Sequence, residues 1–315
     1  LLSRFERLAR KNSFPMNARI NPFKGTGIAL VTPFTATHEV DYVALDRLVQ
    51  HCIAGGVDFL VALGTTAETA TLSADEKQRI VAAICAAASG RVPVVQGVGG
   101  NDSAKVAAEL KAGLREGISG VLSVSPYYNK PTQEGIFRHF AYVAEATELP
   151  IILYNVPGRT GSNMAASTTL RIAESVPHAV AVKEASGNME QCMEVILGAP
   201  AGFDLLSGDD NLTLPLVACG AQGVISVSGQ GFPKTFSQMV RDARAGNVAA
   251  AQKGHYALFH FTQQLFAEGN PGGIKSALKH LGISDDALRL PLWPVSAALD
   301  AAIAQSVHQL QNYES

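Results

Sequence analysis

Cysteine is scarce in this chain, with four residues in 315. Cys52, Cys85, Cys192 and Cys219 lie far apart, each in a segment of helical periodicity, and no CxxC or other zinc spacing joins them. That argues against a disulfide framework and favours reduced thiols in a cytoplasmic protein. The eight histidines are equally dispersed, without an HxH or HExxH pair, so no metal is expected. Charge is nearly balanced at −2, which gives neither nucleic acid nor a membrane surface an electrostatic handle. No apolar run approaches the roughly 20 residues that span a bilayer. What the chain does have is 47% hydrophobic and 17% charged residues, the composition of a globular protein with a large core. Length alone leaves one large domain or two ordinary ones open.

Residues 1–24 depart from this balance. Arg4, Arg7, Arg10, Lys11, Arg19 and Lys24 stand there against a single acid, Glu6. The stretch lacks the apolar centre of a secretory signal. An organellar transit peptide is one reading; the reading adopted is a natural start at Met16, with residues 1–15 added upstream. Residues 1–24 are therefore expected to be an N-terminal extension outside the fold.

From Gly25 onward, apolar runs of strand length alternate with helical periodicity. Strands are expected at 27–31, 57–63, 92–97, 120–125, 150–154, 179–183, 203–207 and 223–227, each followed by a helix candidate. Asp41 can cap a helix with the stripe Leu45, Leu48, Val49 and Cys52. Ser73-Ala-Asp-Glu76 reads as a capping box ahead of Ile80, Val81 and Ile84. Asp102 opens a helix with Val106, Leu110 and Leu114 on one face, and Thr132 one that buries Phe137 and Phe140. Eight such units predict an α/β protein of the (β/α)8 TIM-barrel class over residues 25–247. A doubly wound open sheet is the alternative, but Val31-Thr-Pro-Phe-Thr35, not GxGxxG, follows the first strand. After residue 247 the alternation stops. Segments 248–267, 271–282 and 295–312 read as helices of a C-terminal region, 248–315, packed on the barrel or serving a subunit contact.

In a parallel barrel, chemistry gathers at the C-terminal ends of the strands. The decisive stretch is the sixth, where Ala179 to Val182 runs straight into Lys183. Desolvation disfavours the charged form of an ammonium, so a strand-end lysine in an apolar mouth can offer a neutral amine to a carbonyl compound. The bland alternative is a lysine reaching out to solvent. The other strand ends decide between the two. After strand two, Gly64-Thr65-Thr66-Ala67-Glu68 supplies hydroxyls and backbone N–H groups that can cradle a small carboxylate, or forms an ordinary turn. Strand four leads to Ser125-Pro-Tyr127-Tyr128-Asn129, where either tyrosine can pack in the loop or enter a site. Strand five leads to Tyr154-Asn-Val-Pro-Gly-Arg159-Thr-Gly161, with a guanidinium fork suited to a carboxylate. Strand seven ends at Ser207-Gly208-Asp209-Asp210, where at least one aspartate is expected to cap the next helix. Strand eight brings the backbone around Ile225. A lysine, tyrosines, a threonine pair and an arginine at one mouth suit a Schiff base to a small 2-oxo acid, with a tyrosine shuttling protons.

Five of these stretches together, Gly64-Thr-Thr-Ala-Glu68, Ser125-Pro-Tyr-Tyr-Asn129, Tyr154-Asn-Val-Pro-Gly-Arg-Thr-Gly161, Val182-Lys-Glu-Ala185 and Gly208-Asp-Asp210, resemble the dihydrodipicolinate synthase family. It belongs to the superfamily that also holds N-acetylneuraminate lyase. The resemblance runs in order from about Gly25 to Leu288-Arg-Leu-Pro-Leu292. It implies an imine between Lys183 and pyruvate, with no other cofactor, and Tyr154 as general acid/base linked to Thr65 and to Tyr128 of a neighbouring subunit. It further implies Thr66, Gly208 and Ile225 as substrate-binding positions, Arg159 as the clamp for the carboxylate of L-aspartate 4-semialdehyde, and a homotetramer built as a dimer of dimers. The alternative within the superfamily is a lyase for N-acetylneuraminate, a 2-keto-3-deoxy sugar acid or 4-hydroxy-2-oxoglutarate, whose members usually lack the arginine. This chain departs from the family in two places. Ala67 stands where glycine is usual, which would strain the turn if it needed positive φ. Lys77 and Lys105 stand where lysine-inhibited members usually carry histidine and glutamate, although Asn101 and Tyr127 match that effector site.

Overall fold

A computed structural model of the chain describes residues 20–314. Its strands are β1 (Gly25–Ala29), β2 (Phe59–Ala62), β3 (Val94–Gly97), β4 (Ile118–Val124), β5 (Ile151–Asn155), β6 (Ala179–Glu184), β7 (Asp204–Ser207) and β8 (Gly223–Ser226). All pair in parallel with their sequence neighbours, and β8 pairs back onto β1 through Thr26↔Val224 and Gly27↔Ile225. That last pairing closes the sheet, so the fold is the expected eight-stranded barrel and not the open sheet.

The strands read as continuous apolar runs because both of their faces are covered. Val61, Val95, Leu122, Ile152, Leu206 and Ile225 fill the interior. The outward residues pack beneath the helices in two further clusters. Close packing inside a small barrel leaves little tolerance for added volume. Gly27, opposite Phe59 in the register, shows this: a Cβ there would lie 2.2 Å from the phenyl ring. Phe23 is fully buried at the N-terminal end of the barrel, its ring centroid 5.6 Å from that of Phe59. Asn21 beside it donates to Asp204 Oδ2 at 3.0 Å. Asn21 and Phe23, upstream of Gly25, are thus already packed against the barrel, while the expected upstream segment 1–15 lies outside the described residues.

Around the barrel run α1 (Tyr42–Ala54), α2 (Ala74–Ala88), α3 (Ser103–Lys111), α4 (Gln133–Ala144), α5 (Pro157–Thr160), α6 (Ala166–Ser175), α7 (Met189–Gly198), α8 (Thr213–Ala218) and α9 (Pro233–Arg244). The caps are those read from the sequence. Asp41 accepts from the N–H groups of Val43 and Ala44, and Ser73 with Glu76 forms a reciprocal capping box. Two side chains differ from expectation. Leu114 is not on α3, which ends at Lys111 ahead of Gly113 at φ +86°. Phe137 is only partly buried, and what covers its ring is the Arg171 guanidinium, 3.6 Å from the centroid.

Three more helices follow, α10 (Val248–Ala267), α11 (Gly272–His280) and α12 (Ala297–Glu314). Leu258, Phe261, Ile274, Leu278 and Ile303 enter the same apolar cluster as Leu45, Leu48 and Ile80 of the barrel helices. Among the described residues no helix is long and apolar enough to cross a membrane.

Candidate active site

The C-terminal strand ends open on a cavity of about 450 Å³, lined among others by Thr65, Lys77, Tyr127, Tyr154, Arg159 and Asn270. Lys183 stands beside this lining, buried, with its Nζ 4.5 Å from the centroid of the Tyr154 ring. Its inward direction comes from an irregularity in β6. The pairing steps from Ile151↔Ala179 to Ile152↔Ala181, leaving Val180 as an extra residue. Val180 and Ala181 both face the barrel interior, and Val182 faces the helices. Strict alternation from Ala179 would have turned Lys183 outward; the bulge turns it in, across from Tyr154 in the register. Among the described residues no carboxylate lies within ion-pair distance of its Nζ. An amine so placed is uncommitted, as a nucleophile must be.

The threonine turn is a short 3-10 helix, Thr65–Ala67, following the end of β2. As its first residues, Thr65 and Thr66 carry N–H groups that donate to no carbonyl of the described chain, the orphan donors of any helix start. Thr65 lines the cavity, whereas Thr66 is buried and does not; free donors on one such turn can form a nest for an anion. Ala67 is buried but is not among the residues of positive φ, so its methyl imposes no backbone strain. The left-handed residues are its neighbours Leu63 (φ 55°) and Glu68 (φ 54°). Thr66 accepts a hydrogen bond from Asn270 Nδ2 at 3.0 Å, and Thr32 Oγ1 donates to the Ala67 carbonyl at 2.8 Å.

Arg159 lies on α5, which Pro157 opens and Gly161 (φ +73°) ends. Its guanidinium has no carboxylate partner among the described residues, although it lines the cavity. Tyr128 does not line the cavity of its own chain: at φ 70° its ring is 88% exposed, and Tyr127 faces the cavity instead. Gly208 donates its N–H to the Glu184 carbonyl at 2.7 Å; a Cβ there would come within 2.5 Å of Ala185 Cβ, so glycine lets the two strand ends approach. Ile225 is fully buried in the interior cluster, and neither it nor Gly208 is part of the cavity lining.

Several buried polar groups that frame the site do not stand out in the sequence. Glu184, next to Lys183 but facing away from the interior, accepts from Asn155 Nδ2 at both oxygens (3.0 Å each), from Gln191 Nε2 (3.0 Å) and from the Ser186 N–H (2.9 Å). Asn155 follows Tyr154 and pairs with Glu184 in the register, so this network fastens the strands that carry Tyr154 and Lys183. Asp210 does not cap its own helix. Its Oδ2 accepts from the N–H groups of Val227 and Ser228 and from Ser228 Oγ, which ties the end of β7 to the loop after β8. Asp209 makes no side-chain cap either; burial, with Asp210 beside it, pushes its pKa up, while the charge of Lys183 pulls it down. The one cue in the sequence is that Asn155 and Glu184 each follow a singled-out residue. Among the described residues no cluster of His, Cys, Asp or Glu could hold a metal ion.

The motifs and the geometry agree with what known proteins show. The profile of the Dihydrodipicolinate synthetase family matches residues 22–310. The chain is 51% identical over 288 residues to the 4-hydroxy-tetrahydrodipicolinate synthase of Flavobacterium psychrophilum, covering 91% of this chain and 98% of that one. The chain belongs to this family. Solved relatives agree: a chloride-inhibited dihydrodipicolinate synthase from Acinetobacter baumannii complexed with pyruvate superposes with a TM-score of 0.89 at 36% identity, over 92% of this chain and 99% of that one. The enzyme from Cyanidioschyzon merolae with lysine bound gives 0.88 at 38% identity, over 92% and 98%. This family member is an enzyme, a Schiff-base-forming lyase of the class I aldolase type.

Proposed function

We propose that the chain condenses pyruvate with L-aspartate 4-semialdehyde to 4-hydroxy-tetrahydrodipicolinate, in the diaminopimelate route of lysine biosynthesis. The observation that carries this reading is Arg159, a guanidinium with no carboxylate partner among the described residues, on the cavity wall that Tyr154 and Thr65 also line. Lys183 Nζ attacks the pyruvate carbonyl and expels water, forming the imine. Loss of a methyl proton turns the imine into an enamine, whose carbon attacks the aldehyde; the amino group of the semialdehyde then attacks the imine carbon, which closes the ring and releases the Lys183 amine. Tyr154 moves these protons, with Thr65 and a neighbouring subunit's Tyr128 as its relay. The N–H and hydroxyl groups of Thr65 and Thr66 hold the pyruvate carboxylate, Gly208 and Ile225 shape the barrel behind the cavity lining, and Arg159 holds the carboxylate of the aldehyde. The assembly that supplies Tyr128 is a homotetramer, a dimer of dimers; the exposed Tyr128 ring suits such a contact. The four free cysteines suit the cytoplasm.

Arg159→Ala tests the acceptor. Loss of the charged partner of a bound carboxylate is expected to lower kcat/KM for the semialdehyde by about 10²-fold or more, with little change in pyruvate KM. Cleavage of N-acetylneuraminate by the parent enzyme, or an undiminished kcat/KM for the semialdehyde in the variant, would move the substrate to another branch of the superfamily.

Feedback control follows from charge. Lys77 lines the cavity, and Lys105 has an 87% exposed side chain with Asp102 at 3.7 Å. An effector with two ammonium groups meets cations where it needs a carboxylate, so L-lysine at about 1 mM is expected to change the initial rate less than about twofold. A micromolar inhibition constant overturns this.

A further inference from the structure

Glu68 ends the threonine turn in left-handed backbone, φ 54° and ψ 39°, which residues with a Cβ adopt reluctantly. Its carboxylate is completely buried and forms an ion pair at 2.5 Å with Lys275 on α11, which is equally buried. The Arg289 N–H donates to its other oxygen at 3.1 Å. Lys275 also donates to the Ala287 carbonyl at 2.8 Å, and its Nζ lies 4.2 Å from the centroid of the Phe34 ring, which the Arg289 guanidinium also covers. From the same segment Asn270 reaches Thr66. Burial drags the pKa of Lys275 down to about 8 against the pull of Glu68, a sign of how far these charges are from water. Stability alone is a poor reason for such a pair, since well-packed apolar residues serve a core as well or better. What the pair does achieve is direction: it holds the residue after Thr65, Thr66 and Ala67 in one disfavoured conformation.

We infer that Glu68 and Lys275 are positioning residues, a buried ion pair through which the C-terminal helices fix the orientation of Thr65 and Thr66 toward the substrate carboxylate. The inference rests on the reading of Thr65 and Thr66 as the carboxylate site given above. Glu68 belongs to the cavity lining, but its carboxylate is fully buried against Lys275, so the pair acts through the turn. On this account the C-terminal helical region is part of the pyruvate site, in addition to any subunit contact it makes.

The test uses the full chain with Glu68→Gln, Lys275→Met, the two combined, and Thr66→Val. Pyruvate KM, kcat and the thermal midpoint are measured for each. Because the double variant removes both charges and strands neither, it is expected to fold even where a single variant does not. Each folded pair variant is expected to raise pyruvate KM about tenfold, the size of one weakened contact, with a smaller change in kcat. Adding Glu68→Gln to Thr66→Val is expected to raise KM by less than about twofold more, since both act on one turn. A lowered thermal midpoint with pyruvate KM unchanged in the folded pair variants overturns the proposal, because KM does not depend on how much enzyme is folded. A raised KM in Thr66→Val beside that result spares the carboxylate reading. An unchanged KM in Thr66→Val overturns that reading, and this proposal with it.

Discussion

Lys183→Ala is expected to abolish covalent capture of pyruvate and to lower kcat by about 10⁴-fold or more, the scale seen when a catalytic nucleophile is removed. The other buried amine near the cavity, Lys275 Nζ, cannot replace it, being bound to Glu68 and the Ala287 carbonyl. Removing Lys183 breaks no ion pair among the described residues, although Asp209 loses the nearby charge that pulls its pKa down. The variant is therefore expected to fold, which separates lost chemistry from lost structure. The measurement is borohydride reduction in the presence of pyruvate, followed by mass spectrometry of the intact chain. The parent gains one reduced pyruvyl adduct at Lys183 and the variant gains none. Adduct formation in the variant, or turnover within about 10²-fold of the parent, would assign the imine to another residue.

Tyr154→Phe has the second largest expected effect. The substitution keeps the ring that lies against Lys183 Nζ and deletes only the hydroxyl. If that hydroxyl carries the protons of imine formation and condensation, kcat falls by about 10²–10⁴-fold, the range for one general acid/base. Pyruvate KM should change little, because the threonine turn is untouched. The thermal midpoint should hold within about 2 °C, since deleting an exposed or unpartnered polar atom leaves no buried group unsatisfied. Steady-state rates together with thermal unfolding check both halves. A kcat within about fivefold of the parent would remove Tyr154 from the proton path and leave its ring as packing.

Much of this molecule was legible residue by residue. Apolar runs of strand length separated by capped helices specified eight βα units, because a strand covered on both faces has a composition that a local window detects. Asp41, Ser73 with Glu76, Asp102 and Thr132 announced their helices because a cap is satisfied within three residues of itself. Lys183 and Arg159 stood out for a similar reason: each is a charge set directly against an apolar strand or a proline-glycine turn. Leu114 was misplaced because a residue of good helical spacing still lies beyond the helix when Gly113 takes a positive φ.

Other features answer to residues too distant for any local pattern. The inward direction of Lys183 depends on Val180, an extra residue defined only by how β6 pairs with β5. Asn270 and Thr66 meet across 204 residues, and Asp210 finds its donors on the loop after β8. Glu68 closes the threonine turn and Lys275 lies in the segment 271–282 that reads as helix, but only the fold buries the two against each other, with Lys275 over Phe34. Strand runs, caps and a charge at a strand end follow from contacts a few residues long, so the sequence by itself determined the barrel and the lysine at the end of its sixth strand. Register, the pairing of buried charges and the convergence of strand ends on one cavity depend on closure of the sheet, which brings distant segments within bonding distance; only the tertiary structure decided those.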